Sequence, residues 1–258
     1  MFDLAEATAA AERDFGAIVD RLDGLADSDW QAPVRCAGWQ ITDLAVHVAG
    51  AGRGQAEALR RAAAGQAGLA HLDPPADREP RALVACLKHA RDQLLAALGA
   101  LPGHALDGAV PLPFGLLPAA VALQIIPLEY GFHRNDLDWA LGTRVPLTDD
   151  IASTLLAITP GLLPMLAAGT PVNAAGIPPG APISFRLTAP ATRLLARYEA
   201  GQWSIGPDNG LAPVTCEISG NDSSLALLIM GRIDPSPPAV TVTSTDAARA
   251  FKKYFPGP

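Results

Sequence analysis

The sequence has few cysteines and few basic residues, and both shortages restrict its function. The 19 lysines and arginines are outnumbered by 26 aspartates and glutamates, which gives a net charge of −7. A nucleic-acid partner is therefore not expected, since such proteins neutralise phosphates with a basic surface. The three cysteines stand far apart without a CxxC pair, which predicts a reducing, cytoplasmic setting.

Long apolar runs and several common catalytic motifs are also missing. No uncharged stretch of about 18 apolar residues predicts a membrane span, and the best candidate, 110–128, contains four prolines. The first residues, MFDLAEATAAAERDFG, have no basic segment before an apolar core, so we expect no secretory signal there. Because GxGxxG, P-loop and GxSxG motifs are absent, the chemistry must come from other residues.

The hydrophobic pattern predicts an α + α/β protein, and 49% hydrophobic residues allow a sizeable core. Apolar spacing of three and four residues predicts five helices in the first part of the chain, and period-two alternation predicts strands in the last part. The predicted domains are a helical bundle at 1–168, a linker at 169–182 and a smaller α/β domain at 183–258. The predicted helices of the bundle are 3–26, 39–65, 79–101, 116–141 and 148–168.

Glu129 and His133 stand four residues apart in a largely apolar helical segment. One turn separates them, so both side chains leave the helix on one face, and Asp136 falls in the same narrow sector. A carboxylate among apolar residues needs a partner, because an unpaired buried one is costly. That partner is a metal ion or, more simply, the imidazole of His133 in an i,i+4 hydrogen-bonded pair.

His47 lies far upstream, on the flank of the apolar stripe of the second predicted helix. Two imidazoles and one carboxylate suit zinc and leave a fourth position open, as in a catalytic site. Helical bundles build such sites from facing helices. A single histidine in this position is otherwise an ordinary residue at the edge of the core. The metal hypothesis therefore depends on whether the second and fourth helices pack together.

Two segments resemble the signatures of a known family. Residues 38–50, GWQITDLAVHVAG, resemble a G-W-x3-D-L-x2-H-x-A/G segment, and residues 129–136, EYGFHRND, resemble E-x3-H-R-x-D. In this order and at this separation they are similar to the mycothiol-dependent maleylpyruvate isomerase family of the DinB/YfiT-like metal-binding superfamily. The α/β region resembles the sterol-carrier-protein-like domain of these proteins, so the resemblance extends over nearly the whole chain.

The resemblance implies a DinB-like four-helix bundle whose His47, Glu129 and His133 hold a divalent ion, usually zinc. It implies mycothiol as a cofactor and a small electrophilic substrate, for an isomerase or S-transferase. We expect a monomer or dimer without nucleic-acid or membrane partners. Two alternatives stay open: a lyase or hydrolase that uses the metal without a thiol, and a non-catalytic ligand-binding accessory protein of a biosynthetic pathway.

The resemblance also implies catalytic roles for Asp136 and Arg232. Asp136 would orient an imidazole of the site; the alternative is a helix-surface carboxylate that pairs with Arg134. Arg232 would hold a carboxylate of the substrate or of the thiol cofactor; the alternative is a cation that complements a helix C-terminus. We expect Cys36 to be a small structural residue rather than a reactive thiol, and we expect Trp39 to be a packing residue.

Overall fold

The computed structural model describes residues 1–36, 38–71, 74–167 and 183–257. They belong to two compact units, Met1–Leu147 and Thr148–Pro258. None of the helices within the described ranges combines the length and the apolar character that crossing a bilayer requires. The linker predicted at 169–182 lies outside the described residues.

Over its described residues, the first unit consists of four long helices, a 3-10 helix, a short α-helix and a two-stranded hairpin. The predicted helices at 3–26, 39–65, 79–101 and 116–141 are confirmed, with ends that differ by three residues or fewer. The elements are α1 (Leu4–Asp23), a 3-10 helix (Asp27–Gln31), α2 (Ile41–Ala63), α3 (Pro80–Gly99), α4 (Gly103–Leu106), β1 (Ala109–Leu112), β2 (Gly115–Pro118) and α5 (Ala119–Ala140).

The four long helices form the expected bundle, in which α1 and α2 each contact both α3 and α5. Helix α1 begins with a capping box between Asp3 and Glu6, which satisfies two N–H groups at its start. Its apolar face places Phe15 against Tyr130 of α5, with ring centroids 4.4 Å apart. Gly52 of α2 leaves room for Phe15, because a Cβ there would lie 2.9 Å from the ring.

Helix α5 carries most of the candidate site residues and continues through Pro127. A proline inside a helix removes one backbone hydrogen bond, yet α5 is helical over 22 residues. Most of its residues from Ala122 to Asp138 are buried, including several polar ones. Polar side chains in such a helix must find partners inside the bundle.

A β-hairpin occupies residues 109–118, where the sequence predicted a proline-rich and glycine-rich loop over much of the segment. Strand β1 pairs antiparallel with β2, from Ala109 opposite Pro118 to Leu112 opposite Gly115. Val110 and Leu112 are buried, and β1 contacts α2. The loop prediction was wrong because three prolines in ten residues conceal the strands from a period-two search.

In the part of the second unit that the structure describes, there are five strands and three helices. Its elements are α6 (Asp149–Ala167), β3 (Ile183–Thr188), β4 (Arg193–Glu199), β5 (Gln202–Pro207), β6 (Cys216–Ser219), α7 (Asp222–Ile229), β7 (Thr241–Val242) and α8 (Thr245–Tyr254). The strand order is β5-β4-β3-β6-β7, with β3 and β6 parallel and the other neighbours antiparallel. The predicted fold class, a helical bundle followed by a smaller α/β unit, is confirmed.

Helix α6 belongs to the second unit, whereas the sequence assigned it to the bundle that was predicted to end at 168. It packs on α7 and β5, and the division between the two units falls at Leu147 and Thr148. The sequence of an apolar helix that follows a bundle along the chain does not show which hydrophobic core it packs against. Periodicity and composition reveal an apolar face but do not identify the surface that the face contacts. Pro160 and Pro164 lie inside this helix without ending it.

Candidate metal centre

The packing of α2 against α5 brings His47, Glu129 and His133 together. His47 Nε2 lies 2.6 Å from Glu129 Oε1, and His133 Nε2 lies 3.4 Å from the same oxygen. One donor atom from each of the three residues lies within 4.8 Å of the other two. The condition on which the metal hypothesis depended, the meeting of the second and fourth predicted helices, is therefore fulfilled.

The three side chains differ in their access to solvent. His47 is 34% exposed, Glu129 is 23% exposed and His133 is 7% exposed. His133 is thus fixed in the bundle, while His47 and Glu129 border the solvent. A small molecule can reach the group from the side of His47.

Asp136 lies behind His133 and faces its second ring nitrogen. Its Oδ2 is 3.3 Å from His133 Nδ1, and the carboxylate is completely buried. A carboxylate that accepts Nδ1–H leaves Nε2 as the ring nitrogen that can bind a metal. Arg35 Nε lies 3.6 Å from Asp136 Oδ1 and balances the carboxylate charge.

Cys36 also contacts Asp136 behind His133, which the sequence analysis did not predict. Its Sγ lies 3.4 Å from Asp136 Oδ2 and donates to that oxygen. Cys36, His133 and Asp136 have donor atoms within 4.8 Å of one another. The imidazole near Cys36 belongs to His133, which is almost a hundred positions away in the chain. No local sequence signal could therefore reveal this neighbour.

The charges of Glu129 and His133 depend on each other. Burial alone would raise the pKa of the Glu129 carboxyl, but the His133 charge and the hydrogen bonds from both histidines hold that pKa well below its ordinary value. Burial alone would lower the pKa of His133, but the Glu129 charge and the hydrogen bonds to Asp136 and Cys36 hold it well above its ordinary value. The protein groups by themselves therefore form a carboxylate–imidazolium pair.

Two of the donor separations can be compared with those of ligands on one zinc ion. Ligand atoms bound at about 2.0–2.1 Å to a tetrahedral zinc stand about 3.3 Å apart, and 3.4 Å separates His133 Nε2 from Glu129 Oε1. The 2.6 Å between His47 Nε2 and Glu129 Oε1 is a hydrogen-bond distance. A movement of less than about 1 Å by the half-exposed His47 would bring this pair to the spacing of two zinc ligands.

Trp39 packs against both imidazoles as well as against the core of the bundle. Its ring centroid lies 5.0 Å from that of His47 and 6.2 Å from that of His133. Gly38 precedes it with a φ of +79°, a conformation that glycine adopts without strain. The packing role predicted for Trp39 therefore has a specific object, the orientation of the two histidine rings.

Family comparison supports the same region of the chain. Residues 9–138 match the family model described as the mycothiol maleylpyruvate isomerase N-terminal domain. The match covers just over half of the 258 residues and includes His47, Glu129 and His133. The chain belongs to this family. The resemblance seen in the two sequence segments is thereby confirmed.

Two solved structures share the fold of this family member. One is described as the mycothiol-dependent maleylpyruvate isomerase, with a TM-score of 0.68, and the other as a histidine-to-alanine mutant of that enzyme, with a TM-score of 0.69. Each has 18% sequence identity and covers 94% of this chain and 93% of its own. No curated protein matches the sequence.

Arg134, the arginine of the E-x3-H-R-x-D segment, does not pair with Asp136. Its Nη1 donates to Asp14 Oδ1 of α1 at 2.7 Å, and its Nε lies 3.8 Å from Asp138 Oδ2. The alternative in which Asp136 is a surface partner of Arg134 is therefore wrong. Arg134 instead joins α5 to α1 inside the bundle of this family domain.

Arg232 lies in the second unit, outside the segment that the family model matches. Its Nη1 donates to the Met230 carbonyl oxygen at 2.9 Å, just beyond the C-terminal end of α7. This contact is the one expected of a cation that complements a helix C-terminus. A role for Arg232 in ligand binding stays a prediction.

Proposed function

We propose that the chain is a metal-dependent enzyme that uses a low-molecular-weight thiol, mycothiol, either to isomerise a small electrophilic substrate or, as an S-transferase, to add the intact thiol across a double bond of the substrate, where it stays attached through sulfur. The observation that carries the proposal is the meeting of His47, Glu129 and His133 in a member of this family. The two solved structures of similar fold represent a mycothiol-dependent maleylpyruvate isomerase. They favour isomerisation over transfer.

In this proposal His47, Glu129 and His133 hold a zinc ion with one coordination position open to the thiol. A bound zinc ion supplies deprotonation of that thiol, whose ordinary pKa near 8.5 leaves only about 3% thiolate at pH 7. Raising the thiolate fraction to near unity is worth about 2 kcal/mol. A part of this gain is offset, because a more stable thiolate is a weaker nucleophile.

The other residues of the site hold these groups in place. In the proposal the Asp136 carboxylate, whose Oδ2 lies 3.3 Å from His133 Nδ1, keeps Nε2 directed at Glu129. Trp39 covers both imidazole rings and limits their rotation. The thiol supplies reversible addition to an activated double bond, which permits rotation about that bond. Arg232 is the cation that the proposal assigns to a carboxylate of the substrate or of the thiol.

The proposal is tested by metal analysis and by turnover with and without the thiol. We expect about one zinc ion per purified chain, as one three-ligand site predicts. Turnover of cis-configured conjugated acids, maleylpyruvate included, should require both zinc and mycothiol. Turnover that needs zinc but no thiol would support a lyase or hydrolase instead. Thiol-dependent turnover that survives complete removal of metal would contradict the metal mechanism.

Replacing Asp136 by asparagine is expected to weaken zinc binding about 10- to 100-fold, the usual effect of losing an outer carboxylate. The amide can still accept Nδ1–H but lacks the charge that makes the imidazole more basic. Zinc affinity is measured by competition with a chelator of known affinity. The matched control is Asp92→Asn on the exposed face of α3, which should not change it. Equal zinc affinity in the Asp136 variant and in the control would remove Asp136 from the site.

A further inference from the structure

Next to His47 the first unit has a cavity of about 310 Å³. Residues 43, 46, 47 and 50 of α2 are spaced by three and four, so they line one wall of it together. The volume is at the lower end of the range of small-molecule sites, about 300–1,000 Å³. The lining residues are Trp39, Asp43, Val46, His47, Gly50 and Pro74.

The lining is apolar apart from His47 and Asp43. Among the described residues that line it, no arginine or lysine is present. Asp43 accepts a hydrogen bond from Gln40 N–H at 3.0 Å and forms an ion pair with Arg78. Arg78 itself lines a different cavity, at the start of α3. A ligand carboxylate placed here would meet the Asp43 carboxylate, whose cationic partner Arg78 is not among the described residues that line this cavity.

The depth of the cavity depends on Gly50. A Cβ at this position would lie 3.5 Å from Pro74 Cα, an ordinary contact, so the fold itself tolerates a side chain there. A longer side chain would extend from the Cβ along Pro74 and fill space that the glycine leaves empty. Gly50 stands one turn after His47, so any such side chain would come close to the candidate metal centre.

We infer that this cavity holds an uncharged apolar group, alkyl or aryl, of the ligand that reaches the metal centre. The inference rests on the proposed function and makes it more specific, since it names the chemical class of the group beside His47. A carboxylate of the same ligand would therefore lie away from this wall. Gly50 and Val46 are the residues that set the size of the accepted group.

Cobalt-substituted protein tests the inference, because thiol binding to cobalt produces a charge-transfer absorption that can be titrated without any turnover. The probes are benzyl mercaptan, which is uncharged and apolar, mercaptosuccinate, which is a dicarboxylate, and 2-mercaptoethanol, which is too small to fill the cavity. For the wild type we expect benzyl mercaptan to bind at least tenfold more tightly than mercaptosuccinate. Equal or tighter binding of mercaptosuccinate would overturn the inference.

Variants show whether the cavity causes the preference. Gly50→Leu should weaken the binding of benzyl mercaptan at least tenfold. It should change the affinity for 2-mercaptoethanol by less than twofold and leave the cobalt content unchanged. Gly16→Leu is the control, because a Cβ on Gly16 of α1 has nothing within 4 Å. Val46→Phe on the same wall should act like Gly50→Leu and replaces it if that variant does not fold. Unchanged benzyl mercaptan binding in the folded wall variant would overturn the inference.

Failure of the proposed function gives a different result. Wild-type protein that takes up no cobalt, or shows no thiolate absorption with any of the three thiols, would overturn the metal–thiol proposal and this inference together. Cobalt–thiolate absorption without preference among the thiols would overturn the inference alone.

Discussion

The His133→Ala variant is expected to bind no measurable zinc and to lose thiol-dependent turnover. His133 is the most deeply buried of the three donors and the one whose second nitrogen faces Asp136. Removing it takes away a ligand and leaves the Asp136 carboxylate without its imidazole. We expect zinc affinity to fall by more than the roughly 100-fold of an outer-residue change. Elemental analysis and chelator competition measure this loss.

His89→Ala is the matched control, since His89 is exposed on α3 and far along the chain from the site residues. It should retain zinc and turnover. If the buried change in His133 prevents folding, His47→Ala makes the same test at a half-exposed position. A folded variant at either ligand position with one tightly bound zinc per chain would refute this ligand set.

The part of the site that lies on one helix was predictable from spacing. Glu129, His133 and Asp136 fall on one face of α5, and the contacts of 3.4 Å and 3.3 Å follow from that spacing. Helix geometry acts over a few residues, so the sequence alone contains this information. The same argument predicted the long helices of the bundle to within three residues.

Contacts across helices could not be derived in this way. His47 meets Glu129 from 82 positions away, and Cys36 meets Asp136 from 100 positions away. Such contacts depend on which apolar faces pack together, and a period shows only that a face exists. For His47 the missing information came from family resemblance. For Cys36 neither spacing nor resemblance gave this information, so its contacts with Asp136 and His133 were not predicted.

Strands were harder to predict than helices for a related reason. Strand β1 has three successive buried residues, so it shows no alternation. Strand β4 pairs with a neighbour on each side of it in the sheet. Its alternation of buried and exposed residues is hard to recognise in the sequence, because Arg197 occupies a partly buried position. Its pairing with β3 and β5 decides its conformation, since strand preference depends strongly on neighbours.

The Arg134→Ala variant is expected to destabilise the first unit by about 1.5–3 kcal/mol, the usual effect of removing a hydrogen bond to a charged group, because the Asp14 carboxylate keeps its ion pair with Arg13. Arg134 is 10% exposed and donates to the completely buried Asp14 at 2.7 Å. Its Nε also lies near Asp138, which pairs with Arg21. For a unit of this size the loss corresponds to roughly 5–10 °C in Tm. Thermal unfolding of metal-free protein measures it.

Arg91→Ala is the control, because Arg91 forms an exposed pair with Asp92 whose contribution should be below about 1 kcal/mol. A double variant, Asp14→Leu with Arg134→Met, separates the two causes of the loss. If the cost arises from a buried carboxylate that has lost one of its two arginine partners, the double variant must be more stable than Arg134→Ala, because it removes the charges of Asp14 and Arg134 and keeps the packing volume. A double variant that is less stable would instead assign the loss to the packing of the arginine side chain between α1 and α5.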